Sequence, residues 1–98
     1  MRIKIPFHDR FKIEIAAGRK IYTTRTKRYG KEGDTFQIAP KIKCRIISIR
    51  KERLGTIAEK LWWQEGFRSR EEFIGFWLMI HRKWTPEKMV WLHRFERV

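Results

Sequence analysis

Eight consecutive residues, Gly18-Arg19-Lys20-Ile21-Tyr22-Thr23-Thr24-Arg25, bring together a glycine, three cations, two hydroxyls and an aromatic ring. Cations and hydroxyls interleaved on an extended segment suit a surface that reads phosphates or bases. The same groups could serve a small hydrolytic site, where a hydroxyl attacks once a neighbouring base takes its proton. The basic run continues through Lys27, Arg28 and Lys31, with Tyr29 interleaved. Arg19, Lys20, Tyr22, Arg25, Lys27, Arg28 and Lys31 are therefore the candidate nucleic-acid contacts, cations for phosphates and rings for stacking.

Metal chemistry has no comparable support. His8, His81 and His93 stand far apart, with no paired ligand spacing. His93, on an apolar strand face, reads as a partly buried, hydrogen-bonded residue. The lone Cys44 falls on the apolar face of its strand and reads as core. There is no glycine-rich phosphate loop, and no metal or cofactor is expected.

Composition sets the frame for these residues. The chain of 98 residues carries 42% hydrophobic residues and five tryptophans, the balance of one folded domain over 1–98 rather than a disordered basic tail. The net charge is +13. Residues 1–49 hold 13 Lys/Arg against 4 Asp/Glu, and residues 50–98 hold 11 against 7, so the excess lies in the half with the basic stretch. Such a domain attracts polyanions, and RNA or a nucleoside is the expected partner. The single cysteine points to a reducing, cytoplasmic compartment. The first residues lack the apolar core of a secretory leader. The longest apolar run, residues 73–80, is too short to cross a bilayer, so no membrane partner is expected.

The elements that must hold the basic stretch follow from periodicity. Residues 2–5 alternate and read as a strand or lead-in, broken by Pro6. Phe7, Phe11 and Ile15 form one stripe of a short helix that Gly18 would end with a left-handed cap. Residues 20–26 suit a strand, 31–34 a turn, and 35–38 a further strand. Residues 42–49 alternate, with Ile42, Cys44 and Ile46 on one face and Lys43, Arg45 and Ile47 on the other. Residues 54–64 have helical spacing closed by Gly66, which puts Glu65 in a last turn where the helix dipole disfavours an anion. An unfavourable charge of that kind points either to a functional position or to a salt bridge with a nearby arginine. Of Trp62 and Trp63, about 100° apart on a helix, one belongs to the core and the other is partly exposed. Ser69 and Glu72 form a capping box that starts a helix running to His81. Its apolar stripe is Phe73, Phe76, Trp77 and Ile80. Residues 89–98 close the chain as a strand, with Met89, Trp91, His93 and Phe95 opposite Val90, Leu92, Arg94 and Glu96. The economical arrangement is α+β: a small mixed sheet curled into a barrel, with helices across its openings.

The motif Gly18-x-Lys20 followed by Thr23-x-Arg25 resembles the signature of the ASCH domain, a PUA-like β-barrel. Further similarity lies in Gly33-Asp34-Thr35-Phe36, in Gln64-Glu65-Gly66-Phe67-x-Ser69-x-Glu71-Glu72-Phe73, and in Val90-x-Leu92-His93-x-Phe95. The resemblance spans the chain from about Phe7 onward and implies an RNA- or nucleobase-binding module with a basic cleft around Lys20, Thr23 and Arg25. Thr23, three residues after Lys20, is also similar to the N4-acetylcytidine amidohydrolase branch of the superfamily. That similarity implies Lys20, Thr23 and Glu65 as catalytic groups for deacylating N4-acetylcytidine or a related small amide. Chemically, Lys20 could act as a base only with its pKa well below the free value. Lys20 and Thr23 have opposite parity on a regular strand, so they converge only across a bulge or a corner.

Overall fold

The clearest alternation in the sequence becomes the longest strand. A computed structural model describes residues 1–98. Its elements are α1 (Asp9–Ala16), β1 (Tyr22–Arg25), β2 (Thr35–Ala39), β3 (Ile42–Arg53), α2 (Leu54–Lys60), α3 (Arg70–His81) and β4 (Met89–Arg97). The four strands form one curled antiparallel sheet in the order β1-β4-β3-β2. With the three helices packed on it, this is a half-barrel of the expected α+β class. Residues 2–5 stay a lead-in, from which Arg2 makes an isolated parallel bridge to Thr35 outside the antiparallel sheet. No helix is long and apolar enough to cross a membrane.

The sheet is buried on both faces. Val90 and Leu92 of β4 pack with Leu54, Ile57, Phe73 and Trp77 from the helices. Phe95, of opposite parity on the same strand, packs with Phe36, Cys44 and Ile46. Both halves of the expected alternation along β4 are therefore core-facing, each toward a different cluster. On β3, Cys44 and Ile46 share the inner face as expected. The register then shifts, Ile46 facing Phe95 but Ser48 facing Arg94. Ile47 is the extra residue of a bulge, which re-aims the strand so that Ile49 returns to the inner cluster.

The helix caps follow the sequence closely at one end of the chain and depart from it at another. Ser69 accepts the Glu72 amide at 3.0 Å and starts α3. The Glu72 carboxylate does not close the box on Ser69; it takes the Arg68 amide and the Arg10 guanidinium, at 3.1 and 2.9 Å. Phe73 and Trp77 are buried, whereas Ile80 is 54% exposed, so the stripe ends a turn early. Trp62 packs against the core and Trp63 is exposed, the expected division. The helix expected over residues 54–64 stops at Lys60. Beyond it the chain makes successive turns, in which the Phe67 amide reaches back to the Trp62 carbonyl at 3.2 Å and the Gln64 carbonyl accepts the Ile21 and Tyr22 amides at 2.8 and 3.2 Å. Glu65 therefore sits in a turn and not at a helix end, and the dipole does not explain it.

Candidate functional site

The basic stretch is pinned at a corner before it becomes a strand. α1 ends at Ala16 with Ala17 as its C-cap, and Gly18 takes the left-handed conformation, φ +78°, that the sequence anticipated. The amides of Arg19 and Lys20 both donate to the Glu14 carbonyl, at 2.9 and 3.1 Å. The next two amides go to Gln64, so β1 begins only at Tyr22. This corner resolves the parity conflict: Lys20 lies before the pleat starts, and its side chain drops inward to the same cleft as Thr23. Gly66 is required beside it. Its φ is +92°, and a Cβ there would come within 3.2 Å of the Lys20 Cβ.

Lys20 is 4% exposed. Its ammonium donates to the Tyr22 carbonyl at 2.8 Å, to the Glu65 carbonyl at 2.8 Å and to the Glu65 carboxylate (Oε1) at 3.4 Å. Three acceptors use all three N–H groups. The Phe11 ring lies 4.8 Å away. Burial pushes the Lys20 pKa down to about 8, with Glu65 opposing the shift and Arg25 adding to it. Glu65 is 2% exposed and its second oxygen accepts from the Thr24 hydroxyl. Thr23 is also buried, but its hydroxyl accepts from Arg25 Nε at 3.0 Å. Neither Lys20 nor Glu65 is a hydrogen-bond partner of that hydroxyl. The connected chain of polar groups is thus Lys20–Glu65–Thr24, with Thr23 and Arg25 beside it.

These groups line a cleft of about 490 Å³ between β1, α1 and α3. Its walls include Phe7, Phe11, Phe76, Trp77 and Tyr29, and Lys27 also contributes. The volume is that of a small-molecule site. Arg25 bridges wall and strand, its guanidinium 4.9 Å from the Phe7 ring and donating to the Pro6 carbonyl at 2.6 Å. Apolar flat walls around a buried carboxylate and hydroxyls can hold a planar heterocycle by stacking and read its polar edge.

The remaining candidates diverge. Arg19 pairs with Glu14 at 2.6 Å and lines a separate groove with the exposed Trp63. Tyr22 packs on the core, with the Arg94 guanidinium 5.7 Å from its ring. Arg28 lies near Trp91 and pairs with Glu32 at 3.5 Å, away from the cleft. Lys31 is exposed in the following turn. Of the seven contacts expected from sequence, Lys20, Arg25 and Lys27 line the cleft, together with Thr23 and Glu65. Sequence reasoning missed Thr24 and the aromatic wall supplied by α3. The hydroxyl type at position 24 was the available signal; that it meets Glu65 was not. His93 is fully buried behind β1, accepting the Tyr29 amide at Nε2 at 3.0 Å, with Nδ1 3.3 Å from the Thr23 carbonyl. No group of three or more His, Cys, Asp or Glu side chains converges to hold a metal.

The whole architecture has solved counterparts. An ASCH domain from Lactobacillus crispatus superposes with a TM-score of 0.71 at 13% identity, over 98% of this chain and 78% of that one. The chain has an ASCH-domain fold. A protein from Pyrococcus furiosus solved by NMR shares this fold, with a TM-score of 0.72 at 21% identity, over 100% and 98% of the two chains. A crystal structure of a hypothetical protein is similar at 0.75 and 18%, with full coverage of both. No protein-family model matches the sequence, and none of the curated proteins matches it. In this ASCH-type fold the Lys20–Glu65 contact joins the corner before β1 to the turn before α3.

Proposed function

We propose that this chain, as one module over residues 1–98, binds a nucleobase carried by RNA in the cleft around Lys20, Thr23, Arg25 and Glu65. The observation that carries the reading is the pairing of an aromatic-walled cleft with a buried carboxylate–ammonium floor, on a protein of net charge +13. The rings supply stacking, the floor supplies an edge to read, and the surface charge attracts the phosphate backbone. Lys20 acts from the floor and not on phosphate, since its three N–H groups are already committed. Lys27, exposed at the cleft, and the outlying Arg28 and Lys31 supply the phosphate contacts. Binding of a fluorescent single-stranded RNA, measured by anisotropy at several salt concentrations, tests this. The log–log salt slope should fall by about one for Lys27→Ala, and free nucleosides should compete. Binding without competition and with an unchanged slope in Lys27→Ala and Arg28→Ala would remove this surface from consideration.

A second reading has one specific observation in its favour. Lys20, with its pKa brought to about 8, beside Glu65 could support deacylation of N4-acetylcytidine or a related small amide. Thr23 is the hydroxyl implied by resemblance, whereas Thr24 is the hydroxyl hydrogen-bonded to Glu65. Incubation with N4-acetylcytidine, with cytidine detected by mass spectrometry, separates the readings. Turnover lost in Thr23→Ala but kept in Thr24→Ala would establish the implied set; no turnover above both controls would leave binding alone.

A further inference from the structure

The floor of the cleft is an unfinished hydrogen-bonding surface with a definite pattern. β1 is the edge of the sheet, with β4 on one side and no strand on the other. The Ile21 carbonyl accepts the Phe95 amide at 3.0 Å, so that carbonyl and the backbone groups of residues 23 and 25 turn toward β4. Tyr22 and Thr24 turn theirs outward. At Tyr22 both outward groups are occupied, the amide by the Gln64 carbonyl and the carbonyl by Lys20. Two residues on, the outward amide of Thr24 meets no neighbouring strand, and the hydroxyl of the same residue engages the Glu65 carboxylate.

The carboxylate has matching spare capacity. An ionised carboxylate only accepts, with about four lone-pair directions on its two oxygens. The Thr24 hydroxyl uses one direction on Oε2, and Lys20 uses one on Oε1. Each oxygen keeps one direction. A ligand that fills both must present two adjacent N–H donors, and one that also satisfies the Thr24 amide must carry an acceptor next to them. Among the common bases only guanine offers this row on one edge, as O6, N1–H and N2–H. Adenine and cytosine set a single amino group beside an acceptor nitrogen, and uracil has one N–H between two carbonyls.

We propose that the cleft selects guanine, the Glu65 carboxylate accepting from N1–H and N2–H and the Thr24 amide donating to O6. This rests on the nucleobase-binding reading above and names its ligand. Lys20 is then a positioning residue: it holds the carboxylate in place without touching the base.

The test uses the unaltered protein and a ligand series followed by calorimetry: GMP, IMP, 1-methyl-GMP, AMP, CMP and UMP. GMP should bind tightest. IMP, which lacks the 2-amino group, should bind about 10- to 100-fold more weakly, the range expected for one lost bond to a charged acceptor. 1-Methyl-GMP should lose at least as much. Glu65→Gln, which replaces one acceptor by a donor, should abolish the difference between GMP and IMP; retained thermal unfolding shows that the variant is folded. Equal affinity for GMP and IMP, or a preference for CMP, AMP or UMP, overturns the guanine assignment while the binding reading stands. Absence of binding to every nucleotide and to single-stranded RNA overturns both.

Discussion

Lys20 makes stability depend on pH in an unusual direction. A buried ammonium whose pKa falls from 10.5 to about 8 is charged at neutral pH against its environment. The unfolded chain holds that proton up to about pH 10.5, while the folded chain releases it near pH 8. Between these values the unfolded state binds more protons, so stability rises with pH. A shift of this size corresponds to about 3 kcal/mol in total, of which about 2 kcal/mol falls between pH 7 and pH 10. The other basic groups also relax as charge falls, so the reference must be a variant without the pair. Lys20→Met/Glu65→Gln removes both charges together and avoids a lone buried carboxylate. Urea unfolding of both proteins at pH 7, 8, 9 and 10 should show the wild-type chain gaining about 2 kcal/mol on the variant. Parallel curves would mean that Lys20 titrates as an exposed lysine does. A gap that narrows with pH would mean that attraction to Glu65 outweighs burial, and either result refutes the argument.

Glycine positions allow a matched pair of measurements. Gly66→Ala forces a side chain into a positive-φ position against Lys20 and should cost about 1–3 kcal/mol in urea unfolding. Gly75→Ala, in open space on α3, should instead stabilise by about 0.5–1 kcal/mol. His93→Leu leaves the Tyr29 amide without its acceptor and should cost about 1–3 kcal/mol. Burial holds the His93 pKa below its ordinary 6.5, so the unfolded chain protonates first as pH falls through 6.5 and stability drops. That acid-side fall should be shallower in His93→Leu, as read from unfolding between pH 5 and 7.

The strands and helices were largely legible because their signals are local. Alternation marked β3 and β4, Ser69 started α3 through its own hydroxyl, and Gly18 ended α1 by accepting positive φ. Where the reading failed, a long-range partner had intervened. The helical spacing after Leu54 is real, yet the segment breaks into turns after Lys60 and docks its Gln64 carbonyl on the Ile21 and Tyr22 amides. Ile47 alternates correctly until it becomes the extra residue of a bulge whose position depends on β4.

The same division holds for the site. Residue types alone indicated a basic, phosphate-attracting stretch, since charge is a property of composition and survives any fold. Resemblance added Lys20, Thr23 and Glu65. Only the tertiary structure decided that Lys20 is buried and spent on Tyr22 and Glu65, that Thr24 is the hydroxyl on the carboxylate, and that α3 lends the cleft its aromatic wall. Those outcomes depend on which groups meet across forty or more residues of chain, and on how much water remains around them. No local pattern encodes either quantity.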